Sequence, residues 1–149
     1  MNANHEAEEL LVGAITARET AAGAGGWLGV PALMSRSTAK RPMSYVVVTA
    51  DEQRALLTNG LIVEVEVDVT CVAQLDEPGE LAASKVRAGK LGAWFADPQA
   101  VLSAMCAAGR EDMLYYPIGL VVEGAETMRK ERSQGERIGL RMTLARQEE

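Results

Sequence analysis

Residues 61–71 (LIVEVEVDVTC) alternate between apolar and polar side chains, and this alternation is the clearest structural signal in the chain. Successive side chains of a β-strand point to opposite faces, so the stretch predicts a half-buried strand with one dry face and one acidic face. A helix would instead spread the carboxylates around its circumference and bury some of them. The dry face carries Leu61, Val63, Val65, Val67, Val69 and Cys71, and the other face carries Glu64, Glu66, Asp68 and Thr70.

A second strand is predicted just before it. Residues 44–49 (SYVVVT) form a β-branched run, residues 51–57 follow, and Asn59-Gly60 is a strong hairpin signal. We therefore expect antiparallel pairing between the segment around 44–57 and residues 61–73.

The N-terminal region predicts a helix over residues 5–19, with Asn4 as its N-cap. Its first turn is acidic, which the helix dipole favours, and one side carries Ala7, Leu11, Ala14 and Ile15. The sequence AAGAGG at 21–26 ends the helix. The Gly- and Pro-containing stretch over about 22–43 then predicts a long flexible surface loop, a candidate for ordering against a partner.

The second half of the chain begins with a turn at residues 76–79, which closes the strand. Residues 80–96 predict a helix, and Asp97-Pro98 predicts the start of a further one over 98–108, with Gly109 as its stop. One bent helix and two separate helices both fit this pattern.

The last part predicts strands at 114–122 and 137–145, joined by a charged, flexible hairpin loop over about 124–136. Pro117 lies inside the first of these, which predicts an edge strand or a bulge. The element order is therefore α-β-β-α-β-β. This order predicts a single α+β domain over 1–149, with an antiparallel sheet of about four strands and helices packed on one face.

Composition and charge narrow the classes of function. The chain has 149 residues, 48% hydrophobic, which is enough for a core that buries roughly 70% of the unfolded surface. A net charge of −6 argues against a protein that mainly holds nucleic acid, because phosphate neutralisation needs an excess of Lys and Arg. With no signal-peptide pattern and no apolar run of ~20 residues, we expect a soluble protein that is intracellular when made and has no membrane partner.

Residues for catalysis or metal binding are scarce. His5 is the only histidine, and Cys71 and Cys106 do not form a CxxC motif, so we predict no catalytic triad, zinc site, cofactor or enzymatic activity. No GxGxxG or GxxxxGK[ST] motif occurs. Both cysteines are predicted to be small buried residues, and the sequence leaves a disulfide between them open.

Two charged groups are candidates for an interface. Glu64, Glu66 and Asp68 share one strand face, which is typical of a solvated or partner-facing surface. Arg129, Lys130 and Arg132 lie in the charged loop, whose mixed signs fit a solvated loop as well as a phosphate or partner contact. Together they favour head-to-tail contacts between copies, and contacts of that kind can close into rings.

Nearly the whole chain resembles the tail terminator (tail-completion) proteins of long-tailed phages. The resemblance lies in the acidic N-terminal helix, the Gly/Pro-rich loop, the pair SYVVVT…LIVEVEVDVTCVA, a mid-chain helix and the last hairpin LYYPIGLVVE…RIGLRMTLA. It implies a hexameric ring in the tail or neck of the virion that caps the tail tube below the head connector. The implied partners are further copies of the chain, the tail-tube protein and the head–tail connector proteins, without specific nucleic-acid binding. Another connector or minor tail protein, and a small cytosolic ligand-binding α+β domain, are the alternatives.

Overall fold

Within the residues that the structure describes, five strands form one mixed sheet in the order β1-β2-β3-β5-β4, with three α-helices alongside it. The structure is a computed structural model and describes residues 3–38, 40–42, 44–57, 59–76 and 79–147. The elements are α1 (Ala3–Ala21), a short 3-10 helix (Gly23–Gly25), β1 (Ala32–Met34), β2 (Tyr45–Ala55), β3 (Ile62–Gln74), α2 (Glu80–Phe95), α3 (Pro98–Ala108), β4 (Tyr115–Arg129) and β5 (Ser133–Arg146).

Strand β3 lies at the centre of the sheet, and its alternation gives one buried face, as predicted. Its buried positions are Val63, Val65, Val67, Val69, Cys71 and Ala73, which are at most 3% exposed, and the positions between them are half-buried. The buried side chains form one core with residues of all three helices. We call this side of the sheet the helix face and the other side the open face.

Helix α1 agrees with its predicted apolar side but not with its predicted start. Ala7, Leu11, Ala14 and Ile15 are all buried, at 1% exposure or less. The helix begins at Ala3, so Asn4 lies within the first turn and the prediction of Asn4 as N-cap is wrong.

The prediction of a flexible loop over about 22–43 is wrong at two places in the described part of that segment, which contains a 3-10 helix and strand β1. β1 pairs in parallel with β2, with Ala32 opposite Val46 and Met34 opposite Val48. Backbone pairing to β2 makes this short run a strand, and three residues are too few for a periodic signal. Ala39 and Met43 lie outside the described residues.

The predicted β2–β3 hairpin is confirmed as an antiparallel pair. Gly60 adopts a φ of +71°, which glycine accommodates without strain, and the Leu61 N–H donates to Asn59 Oδ1 at 3.0 Å. β2 is one strand with an irregularity between Ala50 and Glu52. Thr58 in this turn lies outside the described residues, as do Glu77 and Pro78 of the predicted turn at 76–79.

The alternative that the sequence left open at Asp97 is resolved as two separate helices. The Asp97 carboxylate accepts a hydrogen bond from the Ala100 N–H at 3.4 Å, and Pro98 occupies the first position of α3. An N-cap followed by proline at this position favours a new helix start over a bend.

The predicted charged loop over 124–136 is wrong, because most of it is strand. β4 and β5 pair from Gly124 opposite Gly139 to Arg129 opposite Gln134, which leaves only residues 130–132 as the turn. β3 extends far enough for Gln74 to pair with Ser133. The backbone hydrogen bonds of this ladder make strands of residues that the polar composition assigned to a loop.

The α+β class is therefore confirmed, whereas the prediction of about four antiparallel strands is wrong in number and in kind. Pro117 lies in edge strand β4 beside an irregularity between Pro117 and Gly119, as its position predicted. Within the described residues, no helix is both long enough and apolar enough to span a bilayer.

Candidate interaction surface

Glu64, Glu66 and Asp68 lie on the open face of β3, and all three are half-buried. The Glu64 carboxylate contacts Arg54 Nη2 at 2.8 Å and Arg141 Nε at 3.6 Å. Asp68 Oδ2 lies 3.6 Å from Arg137 Nη1. Arginines from both neighbouring strands therefore offset much of this acidic charge, and only the strand register brings them there.

Two of these carboxyls still experience an excess of negative charge or incomplete solvation. A hydrogen bond with Glu123, together with burial and repulsion from Glu123 and Glu64, raises the pKa of Glu66. Burial raises the pKa of Asp68, and the nearby Arg137 only partly opposes this. The neighbouring arginines therefore do not fully offset the burial and repulsion of these two carboxyls.

A shallow depression of about 290 Å³ lies on the open face where β5 and β4 pair through two glycines. Gly139 and Gly124 form its floor, and a Cβ on Gly139 would lie 3.7 Å from Asp68 Oδ1. Arg137 crosses one end and contacts Glu126 and Asp68. The missing side chains give a partner room to approach the backbone of two strands.

The basic candidates lie elsewhere. Arg129, Lys130 and Arg132 are exposed at the turn between β4 and β5. This turn adjoins Gln74, six residues along β3 from Asp68, or about 20 Å at the usual rise of a strand. The structure therefore does not bring the acidic and basic candidates together within one copy.

The second half of β4, residues 121–129, is exposed at every position, although it belongs to a regular strand. Pro117 and Leu120 in the first half are buried. Val121 on the open face is 50% exposed, Val122 on the helix face is 43% exposed, and Met128 is also exposed. We call residues 121–129 the exposed half of β4. The sequence predicted a loop over most of this segment and so gave no sign of an exposed strand.

The exposed half of β4 also directs backbone groups away from the sheet. The Lys130 N–H donates to the Ser133 carbonyl at 2.9 Å, so these two residues form a hydrogen-bonded pair at the end of the β4–β5 ladder. Directly opposed residues of an antiparallel pair alternate between bonded and non-bonded positions. The N–H and C=O groups of Ala125, Thr127 and Arg129 consequently point away from β5, towards the free edge.

Strand β1 forms the opposite edge of the sheet. The Val46 N–H donates to the Pro31 carbonyl at 2.9 Å and the Ser35 N–H to the Val48 carbonyl at 3.0 Å. By alternation, the backbone groups of the residues between them, Ala32 and Met34, point away from β2. A groove of about 450 Å³ runs beside this edge; its lining includes His5, Val12, Ala32, Leu33, Met34 and Arg36.

Two buried carboxylates of α1 hold these edges in place. Glu6 accepts hydrogen bonds from the Leu114 and Tyr115 N–H groups, at 3.1 and 2.9 Å, where β4 begins. Glu8 accepts from the Ala50 N–H at 2.9 Å and from Ser35, which follows β1. The sequence placed both glutamates in an acidic first turn, and no local pattern showed that they are buried.

A third glutamate of α1 holds the segment after the helix. Glu19 accepts hydrogen bonds from the Trp27, Leu28 and Gly29 N–H groups, at distances of 3.1 Å or less. Burial alone would raise the pKa of Glu19, but these three donors together with Lys90 hold it below its ordinary value. The same carboxylate therefore fixes the path of the chain between α1 and β1.

The cysteines differ from one another. Cys71 is buried, and burial raises the pKa of its thiol to about 12. Cys106 is exposed, so the prediction that both cysteines are buried is wrong, and both thiols are free. In the described part of the chain, no three His, Cys, Asp or Glu side chains come together as a metal site would need.

Neither a protein-family model nor a curated protein matches this chain.

Proposed function

We propose that this protein is a structural virion protein of a tailed phage or prophage. Its role is that of a tail terminator whose copies form a ring that caps the tail tube and joins it to the head connector. The observation that carries the proposal is the exposed half of β4. This strand segment has a free edge and bears apolar side chains on both of its faces.

Such a strand is a template for association. Proteins that remain monomeric protect their sheet edges with prolines, bulges or covering elements. The first half of β4 has Pro117 and an irregularity at 117/119, and a second irregularity lies at 122/124 where the exposed half begins, but residues 124–129 pair without interruption. An unprotected edge beside Val121, Val122 and Met128 supports contact with another chain.

The two edges of the sheet are unlike each other, and this supports a ring. A short parallel strand forms one edge and a strand of 15 residues forms the other. Contact between two different surfaces of identical copies is heterologous, and such contacts give rings when the rotation closes. The number of six copies comes from the resemblance to the terminator proteins.

The mechanism of such a ring is geometric. The ring occupies the growing end of the tube, blocks further stacking of tube subunits and presents a surface to the connector. Glu64, Glu66 and Asp68 on the open face, and Arg129, Lys130 and Arg132 at the hairpin turn, are then candidate contacts to neighbouring copies or to the tube. Other connector and minor tail proteins share these requirements and are the nearest alternative. A ligand-binding domain is less well supported, because the groove beside β1 and the depression on the open face both open to solvent.

The proposal is tested by the mass in solution. Static light scattering over a concentration series should give a constant mass near 95 kDa, six times the chain mass of 15.9 kDa, or reach it when tail-tube protein is added. A mass of 15.9 kDa at every concentration, with and without tube protein, would refute the ring.

A pair of valine variants provides the matched control. Val121→Lys places a charge on the exposed half of β4 and should lower the assembled fraction, whereas Val86→Lys places one on α2 and should leave it unchanged. The two valines are 50% and 58% exposed, so neither change should unfold the chain.

The candidate acidic residues need a milder change than charge reversal, since lysines would face Arg54, Arg137 and Arg141. The triple change of Glu64 and Glu66 to Gln and Asp68 to Asn keeps the shape of the open face and removes its negative charge. Weaker assembly would place this face in a contact, and unchanged assembly would exclude it.

A further inference from the structure

We infer that the free edge of β4 at residues 125–129 pairs with the free edge of β1 in a second copy of the chain. The pairing is antiparallel, and it joins the five-stranded sheets of neighbouring copies into one continuous sheet. This inference rests on the proposed ring and names the two surfaces that form its repeated contact.

The backbone groups of the two edges match. Ala125, Thr127 and Arg129 present outward N–H and C=O groups at every second residue of β4, and Ala32 and Met34 do the same in β1. The Met34 carbonyl also accepts from the Ser37 N–H at 3.0 Å. Ala32 can therefore exchange two hydrogen bonds with a residue of β4, and the Met34 N–H can donate one more.

The strand directions also agree. β1 runs parallel to β2, and each of the steps β2–β3, β3–β5 and β5–β4 is antiparallel, so β1 and β4 run in opposite directions within one copy. Rotation about a ring axis that lies along the strands preserves these directions. The β4 edge of one copy therefore meets the β1 edge of the next as an antiparallel neighbour.

Side chains fit on the helix face. The side chains of Ala32 and Met34 project to the helix face, because Ala32 pairs with the buried Val46. The Ala125 side chain also projects to the helix face, because Ala125 pairs with the buried Ile138. A β4 strand added to β1 would direct its Ala125 and Thr127 side chains into the groove of about 450 Å³ beside α1. Both side chains are small, as a strand between β1 and the helix requires.

Charges fit on the open face. The segment after β1 carries Arg36, Lys40 and Arg41, which are all exposed. Arg41 lies on the open face, where its guanidinium covers the Tyr45 ring at 5.2 Å. β4 carries the exposed Glu123 and Glu126, and Glu126 is on the open face opposite Arg137. On the open face, Glu126 of the pairing segment thus meets a basic border, which also favours this pairing over contact between two β4 edges.

Two proline variants test the inference. Ala125→Pro removes an outward N–H of β4, and Ala32→Pro removes one of β1, and neither change breaks a hydrogen bond of the existing sheet. Each variant alone should remain at 15.9 kDa, with a thermal unfolding midpoint close to that of the parent. Ala125→Thr keeps the N–H and should assemble as the parent does.

The decisive sample is an equal mixture of the two proline variants. The Ala32→Pro copy keeps its β4 edge and the Ala125→Pro copy keeps its β1 edge, so each pair can form one contact and no more. We expect a mass of about 32 kDa, twice that of the chain, whereas each variant alone gives 15.9 kDa.

The other outcomes separate the inference from the proposed function. A parent that assembles and an Ala125→Pro variant that assembles equally well would overturn the edge pairing and leave the ring standing. If the Ala32→Pro variant formed dimers by itself, two β4 edges would be pairing with each other, and the inferred pairing of β4 with β1 would be overturned as well. Open-ended polymers that both prolines abolish would support the edge pairing and refute the ring. A parent that is monomeric at all concentrations, with and without tail-tube protein, would refute both.

Discussion

Replacement of Glu8 by Gln should destabilise the domain strongly, although the change alters a single atom of the side chain. The Glu8 carboxylate is 1% exposed and accepts three hydrogen bonds. One oxygen accepts from the Ser35 N–H and hydroxyl at 3.2 and 3.0 Å, and the other accepts from the Ala50 N–H at 2.9 Å. An amide has one carbonyl oxygen, so its NH₂ group must face at least one of these donors.

The size of the destabilisation follows from the donor that would face the amide NH₂ group of Gln and lose its acceptor. A hydrogen bond to a charged group contributes about 1.5–3 kcal/mol, and the donor left without an acceptor in Glu8→Gln stays buried. We therefore expect a loss of about 2–3 kcal/mol in the free energy of unfolding. For a chain of this size, this lowers the unfolding midpoint by about 6–9 °C.

Glu9→Gln is the matched control, because it is the same change in the same helix. Glu9 is 24% exposed at its side chain and forms ion pairs with Arg110 at 2.8 Å and His5 at 3.6 Å. Surface ion pairs of this kind contribute about 0–1 kcal/mol. Urea unfolding of both variants, followed by circular dichroism, measures the difference, and equal midpoints would refute the assignment of Glu8 as the anchor of this sheet edge.

Three further predictions test local packing and titration. Gly13→Ala should destabilise the domain, because the new Cβ would lie 2.9 Å from the Ala108 Cβ. Gly89→Ala places its Cβ where nothing lies within 4 Å and should stabilise the domain by about 0.4–1 kcal/mol. Thermal midpoints that shift in the same direction for both variants would contradict this. Glu19 has a lowered pKa in the fold, so its contribution to stability is fully present above its ordinary pKa of 4.5 and is lost as the pH falls through the lowered pKa. The difference in thermal midpoint between the parent and Glu19→Gln should therefore vanish in acid. A difference that does not depend on pH would refute this role of Glu19. One thiol, Cys106, should react with a thiol reagent at pH 8 in the native protein and two in denaturant, and a native reaction that survives Cys106→Ser would contradict the burial of Cys71.

The elements that the sequence predicted well are those whose signal is local. The alternation over 61–71 is set by one buried face, and the turn at Asn59-Gly60 by the backbone freedom of glycine, so both could be identified without any tertiary contact. The helix start at Asp97 likewise depends on residues within one turn.

The missed elements depend on a distant partner. β1 is a strand because it pairs with β2, and residues 124–129 are strand because β5 provides a ladder. The burial of Glu6 and Glu8 depends on donors 27 to 109 residues away, and a local pattern of charge contains no trace of them. The acidic candidates could be named from the sequence, and Pro117 predicted an edge strand or a bulge at β4. The length of the free edge of β4 and the presence of a second edge at β1 emerged only from the topology.

The two anchors of α1 have a consequence for the timing of assembly. Glu6 holds the start of β4 and Glu8 holds the region of β1, and the two residues are separated by a single position on one helix. Docking of α1 onto the sheet therefore completes both edges in the same step. In the proposed ring, a copy that had not yet docked α1 would offer neither edge, so it would not join by one side and leave the ring open at the other.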